Sequence, residues 1–400
     1  MRQGPMKTMA GRLWREAASL MVVGRAASVN SKIPKQDYKV LFLKRNERSS
    51  FMPNSYVFPG GVSEPADFSE EWFDVFKKCG YEPFGLLKDL RTNAPSPMIF
   101  SNKTYSITPE IGFRIGAIRE AFEECGLLIA HHFPFKSLDK PELTKWQQIV
   151  HQDASQFVVM FQELGGCPGL WDLHEWISWL TPTHFASRRF DTAFFITFME
   201  KIPQIFADDK EVVDIKVVSP LEMVKQWRTG AVQLPPPQVY EVSRLLSIDS
   251  YEELEEFARE RGKNGMDHYF PVRIVAKNGT VLCLAGDDLY PEEPDYTGEQ
   301  AQLVVQETVE ELRGLAQNHH RMELKKHNLK LLDHGVRLAR GSITDLPESL
   351  TPTSLPVRVP FILPSASPPY PWALSTTTQH FQQPAAARVS CVKPRGAPAA

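Results

Sequence analysis

Arg119-Glu120-Ala121-Phe122-Glu123-Glu124-Cys125-Gly126-Leu127-Leu128 places three carboxylates at helical spacing directly before a helix-ending glycine. At 100° per residue, Glu120, Glu123 and Glu124 fall within roughly a 100° arc of one helix face. Like charges this close repel, and a structural helix gains nothing by collecting them. A hard divalent cation, which takes carboxylate oxygens as ligands, turns that repulsion into attraction. Arg119 and Glu123 also form an i, i+4 pair in which the guanidinium can orient the carboxylate. On spacing alone, a metal-binding face and a solvated charged face both stay open.

The helix that carries these residues has defined ends. Thr108 suits the N-cap, Pro109 the first helical position, Glu110 the positive N-terminus and Gly126 the left-handed position that follows the last turn. Ile111, Ile115, Ile118 and Phe122 recur at steps of four, three and four and predict a core-facing stripe, with the glutamates turned toward the rim of a site.

Together with Val57-Phe58-Pro59-Gly60-Gly61 upstream, the string resembles the signature box of the Nudix hydrolase superfamily, whose members hydrolyse nucleoside diphosphates linked to another group. That box reads Gly, five residues, Glu, seven residues, then Arg-Glu-hydrophobic-any-Glu-Glu-any-Gly-hydrophobic. Here 57 residues lie between Gly61 and Arg119, so the box carries a large insertion, assigned to 62–106. The isolated glutamate is unmatched: Asp67 stands six after Gly61, and Ile111 eight before Arg119. The resemblance implies a Nudix fold, a mixed β-sheet sandwiched between helices in the α+β class. It implies Mg²⁺ or Mn²⁺ on Glu120, Glu123 and Glu124, with Arg119 and Gly126 structural in the motif. It also implies a catalytic carboxylate that is either Glu120 or Glu124, or Glu211 from the later loop Ala207-Asp208-Asp209-Lys210.

Val40-Leu41-Phe42-Leu43-Lys44-Arg45, then Ser49-Ser50-Phe51-Met52-Pro53, is similar to the stretch before the box in coenzyme A diphosphatases, where it helps to hold the coenzyme. The resemblance points to Arg45, Phe58, Gly60 and Gly61 as substrate-binding, and to a subgroup of acyl-coenzyme A diphosphatases with an inserted box. Val40 to Leu43 reads as a strand with Lys44, Arg45 and Arg48 at its end, where a polyanion would meet cations. Arg188 and Arg189, at the entrance of a strand predicted over Arg188 to Met199, are further candidates because arginine grips phosphate bidentately. The expected activity is metal-dependent hydrolysis of coenzyme A and acyl-coenzyme A to 3′,5′-ADP and (acyl)phosphopantetheine. The alternatives are the same chemistry on NADH or capped RNA, and a catalytically silent coenzyme A-binding module.

Composition sets the frame. The chain has 400 residues, 42% hydrophobic, with a net charge of −3, enough for a full core and too near neutrality for non-specific nucleic-acid binding. Five cysteines with no Cys-x-x-Cys pair favour reduced thiols and no zinc site, and Cys125 reads as a packing residue. No apolar run is long enough to span a membrane. Arg2, Lys7, Arg12 and Arg15 precede the first acid, Glu16, a composition compatible with a weak organelle-targeting segment. The resemblance implies a peroxisomal location, although the sequence ends Pro398-Ala399-Ala400 rather than in a Ser-Lys-Leu-like tripeptide; mitochondrion and cytoplasm are the alternatives. Oligomeric state stays open.

The expected organisation is an N-terminal segment (1–16), a Nudix domain (17–248), an α/β C-terminal extension (249–340) whose contribution to the fold is read as helical, and a tail (341–400). That tail holds eleven of the 32 prolines and is expected to be disordered. Aromatic residues Phe68, Trp72 and Phe76 predict a partly folded insertion. Further helices are expected over Leu143 to Leu164, Leu221 to Trp227, Val239 to Leu246 after Pro235-Pro236-Pro237, Tyr251 to Arg261 and Gln302 to His319. Trp171, Trp176 and Trp179 read as core or lid packing, or as an acyl or pantetheine groove.

Overall fold

In a computed structural model of the chain, residues 14–26, 36–49, 51–82, 105–134, 140–185, 188–203 and 211–325 are described, with a few isolated positions between them and the short pairs 337–338 and 341–342. The rest of the tail expected over 341–400, residues 1–13 and the loop 206–210 lie outside the described residues.

In chain order the first half contains β1 (Arg15–Arg25), β2 (Tyr38–Arg45), β3 (Tyr56–Val57), β4 (Gly60–Val62), α1 (Glu71–Lys78), α2 (Pro109–Cys125), β5 (Ala130–His131), α3 (Lys140–Gln152), α4 (Gln156–Leu164) and β6 (Cys167–Pro168). It continues with β7 (His174–Leu180), β8 (Phe190–Met199), β9 (Val212–Val218), α5 (Pro220–Arg228), α6 (Pro236–Leu245), α7 (Tyr251–Gly262), β10 (Asp267–Tyr269), β11 (Val272–Ala276), β12 (Gly279–Cys283), β13 (Leu303–Val304), α8 (Val309–Gly314) and β14 (Arg321–Lys325).

A mixed sheet runs β10-β7-β8-β1-β2-β3, with β4 paired to β1 and β9 to β2. β1 is its centre. It lies parallel to β8 along its length, with Leu20 beside Phe195, and antiparallel to β4 through its first half and to β2 through its second. Every β1 residue from Glu16 to Gly24 is buried. Helices cover both faces, so this strand reads as a continuous apolar run rather than an alternating one. Leu20, Val22, Leu41 and Leu43 pack on one side with the core of α1, α2 and α4, while Met21, Val23, Val40 and Phe42 pack on the other against α5, α6 and α7.

The helix α2 follows the expected boundaries, ending at Gly126 with φ 71°, but it is not a rim helix. Ile111, Ile115, Ile118 and Phe122 face the core as expected, and the opposite side is buried too. The reason is Gly112 and Gly116. A Cβ at Gly112 would stand 2.1 Å from the Phe68 ring, and one at Gly116 2.9 Å from the Asp67 carboxylate, so the first turn of the insertion closes directly onto the helix backbone. The insertion is folded here: Trp72 and Phe76 are buried, and Trp72 packs edge-on against Phe157 and Phe161.

Two expectations need correction. The single helix over 143–164 is two, α3 and α4, because Asp153 Oδ1 accepts hydrogen bonds from the Ser155 amide (2.9 Å) and hydroxyl (2.7 Å), a local alternative to helical bonding. The extension is α/β rather than helical. Its 302–319 region forms β13, paired with β11, and then the short α8, started by a capping box between Thr308 and Glu311. β11, β12, β13 and β14 make a second sheet, and β10 adds to the main one beside β7. Arg321 anchors this unit through a buried two-point pair with Asp287 (2.6 and 2.5 Å).

Candidate functional site

The two separated halves of the box meet in space. β4 lies against β1 with Gly60 opposite Ser19 and Gly61 opposite Ala18, which brings the double glycine over the last turns of α2. The Gly60 amide donates to Glu124 Oε2 at 2.9 Å. A Cβ at Gly61 would fall 2.4 Å from Glu120 Oε2, so this glycine leaves the space that the Glu120 carboxylate occupies.

Arg119 lies at the centre of the site, fully buried. Its Nε and Nη2 donate to the two oxygens of Asp67 (2.7 and 2.9 Å), its Nη1 to Glu123 Oε1 (2.7 Å) and Glu120 Oε1 (3.0 Å), and its Nη2 also to the Val62 carbonyl (3.0 Å). The i, i+4 contact with Glu123 is therefore present, while the two-point partner is Asp67. Asp67 was visible in sequence as the residue six after Gly61, where the box has its isolated glutamate; an aspartate there made the slot look empty. The α3 residues Gln147, which donates to the Glu123 carbonyl at 2.9 Å, and His151, whose Nδ1 is 3.7 Å from Glu123 Oε2, carried no signal in sequence.

One guanidinium thus meets three carboxylates, of Asp67, Glu120 and Glu123, while the fourth, of Glu124, is held by the Gly60 amide. Burial pushes the Glu120 carboxyl up to about 7; Arg119 opposes the shift, and Glu123 and Asp67 add to it. Burial likewise raises Glu123 and, further, Glu124, where the neighbouring Glu120 charge adds and the Gly60 amide and Arg45 oppose. Arg119 stays charged: burial works against it, and Asp67, Glu120 and Glu123 outweigh burial. Among the described residues no three acidic, histidine or cysteine side chains are already gathered as a metal set. Glu120 and Glu123 are turned onto Arg119, and Glu124 onto Gly60. The donor chemistry still fits a hard divalent cation, since the surplus buried negative charge consists entirely of carboxylate oxygens.

Arg119, Glu120, Glu123 and Glu124 line a cleft of about 890 Å³. Glu211 borders it from the start of β9, and its charge acts on both Glu123 and Glu124. Arg45 borders it at the end of β2, with Nε and Nη2 at 3.0 and 2.8 Å from Ser49 Oγ, and Arg188 also lines it. Phe58, edge-on to Phe194, is also on the wall. Arg189 is not. Its Nε donates to the Thr181 carbonyl (3.0 Å) and its Nη1 to the Tyr296 carbonyl (2.8 Å), and its guanidinium lies over the Trp14 ring, so it ties β8 to the extension. Trp176 and Trp179 both donate to the buried Glu241, at 2.7 and 3.0 Å, and Trp179 also borders the cleft. Cys125 is buried, with its thiol donating to the Ala121 carbonyl. Among the described residues no helix is long and apolar enough to cross a membrane.

A mixed sheet between helix layers, with a Gly-Gly turn seated on an Arg-Glu-x-x-Glu-Glu-x-Gly helix, is the architecture of a Nudix hydrolase, a class whose members generally use divalent metal ions. Residues 14–245 match the NUDT19 Nudix domain and residues 273–330 the NUDT19 C-terminal domain; the chain belongs to this family. It is 39% identical to the acyl-coenzyme A diphosphatase NUDT19 of Xenopus laevis, over 78% of this chain and 90% of that one. It is 36% identical to the protein of the same name from Gallus gallus, over 80% and 91%. Among solved structures, a Nudix hydrolase from Alicyclobacillus acidocaldarius aligns with a TM-score of 0.45 at 20% identity, covering 60% of this chain and 94% of that one.

Proposed function

We propose that the protein hydrolyses the diphosphate of coenzyme A and acyl-coenzyme A esters, giving 3′,5′-ADP and (acyl)phosphopantetheine, with Mg²⁺ or Mn²⁺ as cofactor. The observation that carries this reading is the convergence of Glu120 and Glu124 on the Gly60-Gly61 turn inside a cleft that also has cationic and apolar walls. The names of the two vertebrate relatives support the substrate.

In this mechanism Glu120, Glu123 and Glu124 would hold one to three divalent ions, whose charge would neutralise the diphosphate and acidify the attacking water. Asp67 holds Arg119, and Arg119 in turn orients Glu120 and Glu123. Glu120, raised toward neutrality, or the more exposed Glu211 takes the proton from the water. Arg45 and Arg188 meet the phosphates from the cleft wall, and the Gly60-Gly61 turn makes room for Glu120 and holds Glu124. Residence in peroxisomes belongs to the same reading and is tested by imaging a tagged full chain beside a peroxisomal marker.

The test is incubation of the purified protein with Mg²⁺ and a panel of coenzyme A esters, NADH and capped RNA, with phosphorus NMR of the products. Release of 3′,5′-ADP from the coenzyme A esters ahead of any other product is expected. Preferred cleavage of NADH or capped RNA would replace the substrate, and no cleavage of any would leave a binding module.

A further inference from the structure

Part of the cleft wall is left unused by this chemistry. It is made by Trp179, Phe194, Pro235, Pro236, Pro271 and Leu282, the last two contributed by the extension. Its polar groups have been removed or engaged elsewhere. Prolines carry no N–H, and the Trp179 indole donates to Glu241 at 3.0 Å, away from the cavity.

Gln238 interrupts this surface. It follows the three prolines in the first turn of α6, lines the same cleft and is 8% exposed, and its Oε1 is buried with no hydrogen-bond partner. An unpaired buried acceptor destabilises a fold, and where its residue also lines a cavity, rotation of the side chain can offer that acceptor to a ligand donor. We propose that the Gln238 carboxamide turns toward the cleft when substrate binds and that its Oε1 then accepts an amide N–H from the pantetheine arm, while the proline and aromatic wall covers the alkyl segments on either side of that amide.

This inference rests on the coenzyme A reading above. The pantetheine arm alternates secondary amides with short alkyl segments, so each amide brings one N–H, which Gln238 would meet, and one carbonyl on its opposite edge, which would face the open side of the cleft. A ribose or nucleobase brings several polar groups at once and would leave most of them unpaired there.

The experiment compares the wild-type full chain with Gln238→Leu, and with Gln238→Met should the first variant not fold, by calorimetry with each product in Mg²⁺ and by steady-state kinetics on a coenzyme A ester. Removal of the acceptor should raise the dissociation constant of 4′-phosphopantetheine and the KM of the ester about tenfold, leave kcat and the affinity for 3′,5′-ADP unchanged, and raise the melting temperature of the free protein. Unchanged phosphopantetheine affinity, or an equal loss for both products, would overturn the inference. A wild-type protein that cleaves no coenzyme A ester would instead overturn the reading beneath it.

Discussion

Asp67 and Arg119 form a two-point ion pair, 2.7 and 2.9 Å, with side chains 1% and 2% exposed, across 52 residues of sequence. The insertion that separates the two halves of the box therefore begins by supplying the counter-ion that holds the catalytic helix's arginine.

Breaking that pair leaves a buried guanidinium short of its main partner. Asp67→Ala should cost about 3–5 kcal/mol of stability, read as a lower melting temperature. It should also lower kcat, because Glu120 and Glu123 lose their orientation. Asp67→Glu, which restores a carboxylate, should recover part of both. A silent Asp67→Ala would show that Glu120, Glu123 and the Val62 carbonyl hold the arginine without it.

Gly61 is tested by the smallest possible change. In Gly61→Ala the new methyl group meets the Glu120 carboxylate at 2.4–2.7 Å and displaces it. A displacement near 1 Å at a reacting group costs on the order of a hundredfold in rate, so kcat should fall by about that factor while circular dichroism stays unchanged.

Metal binding should depend on pH with a defined sign. The Glu120 carboxyl lies near 7 in the folded, metal-free protein and near its ordinary value of 4.5 when unfolded. This contribution to stability is present below about 4.5 and is lost as pH rises toward 7; a cation must displace the proton that remains below 7. The melting temperature with Mg²⁺ minus that with EDTA should therefore be small at pH 5.5 and grow as pH passes 7. A difference independent of pH would separate Glu120 from the metal.

Much of this architecture is written locally. Pro109 in the first turn and left-handed Gly126 after the last bracket α2 as expected, although the Thr108 side chain makes no cap hydrogen bond, and the apolar runs of β1 and β2 announce buried strands. What escaped depends on partners distant in sequence. The second buried face of α2 comes from Phe68 and Asp67 reaching Gly112 and Gly116, which no periodicity within the helix reveals. Arg188 and Arg189 are equivalent as letters, yet neighbours in an extended chain face opposite ways, and only the first borders the cleft. Helical spacing over 302–319 was overridden by pairing of Val304 with Val275 in a second sheet. Gln238 had no sequence signal, because its meaning is a missing hydrogen bond.

The claim that most needs testing is that the α2 carboxylates carry metal-dependent cleavage of the coenzyme A diphosphate. Turnover of a coenzyme A ester by wild type and Glu124→Gln, with 3′,5′-ADP quantified at saturating Mg²⁺, addresses it directly. Loss of several kcal/mol of charge stabilisation, at about 1.36 kcal/mol per tenfold, predicts a fall of a hundredfold or more in kcat with the fold intact. Near-normal release of 3′,5′-ADP by Glu124→Gln would contradict the account.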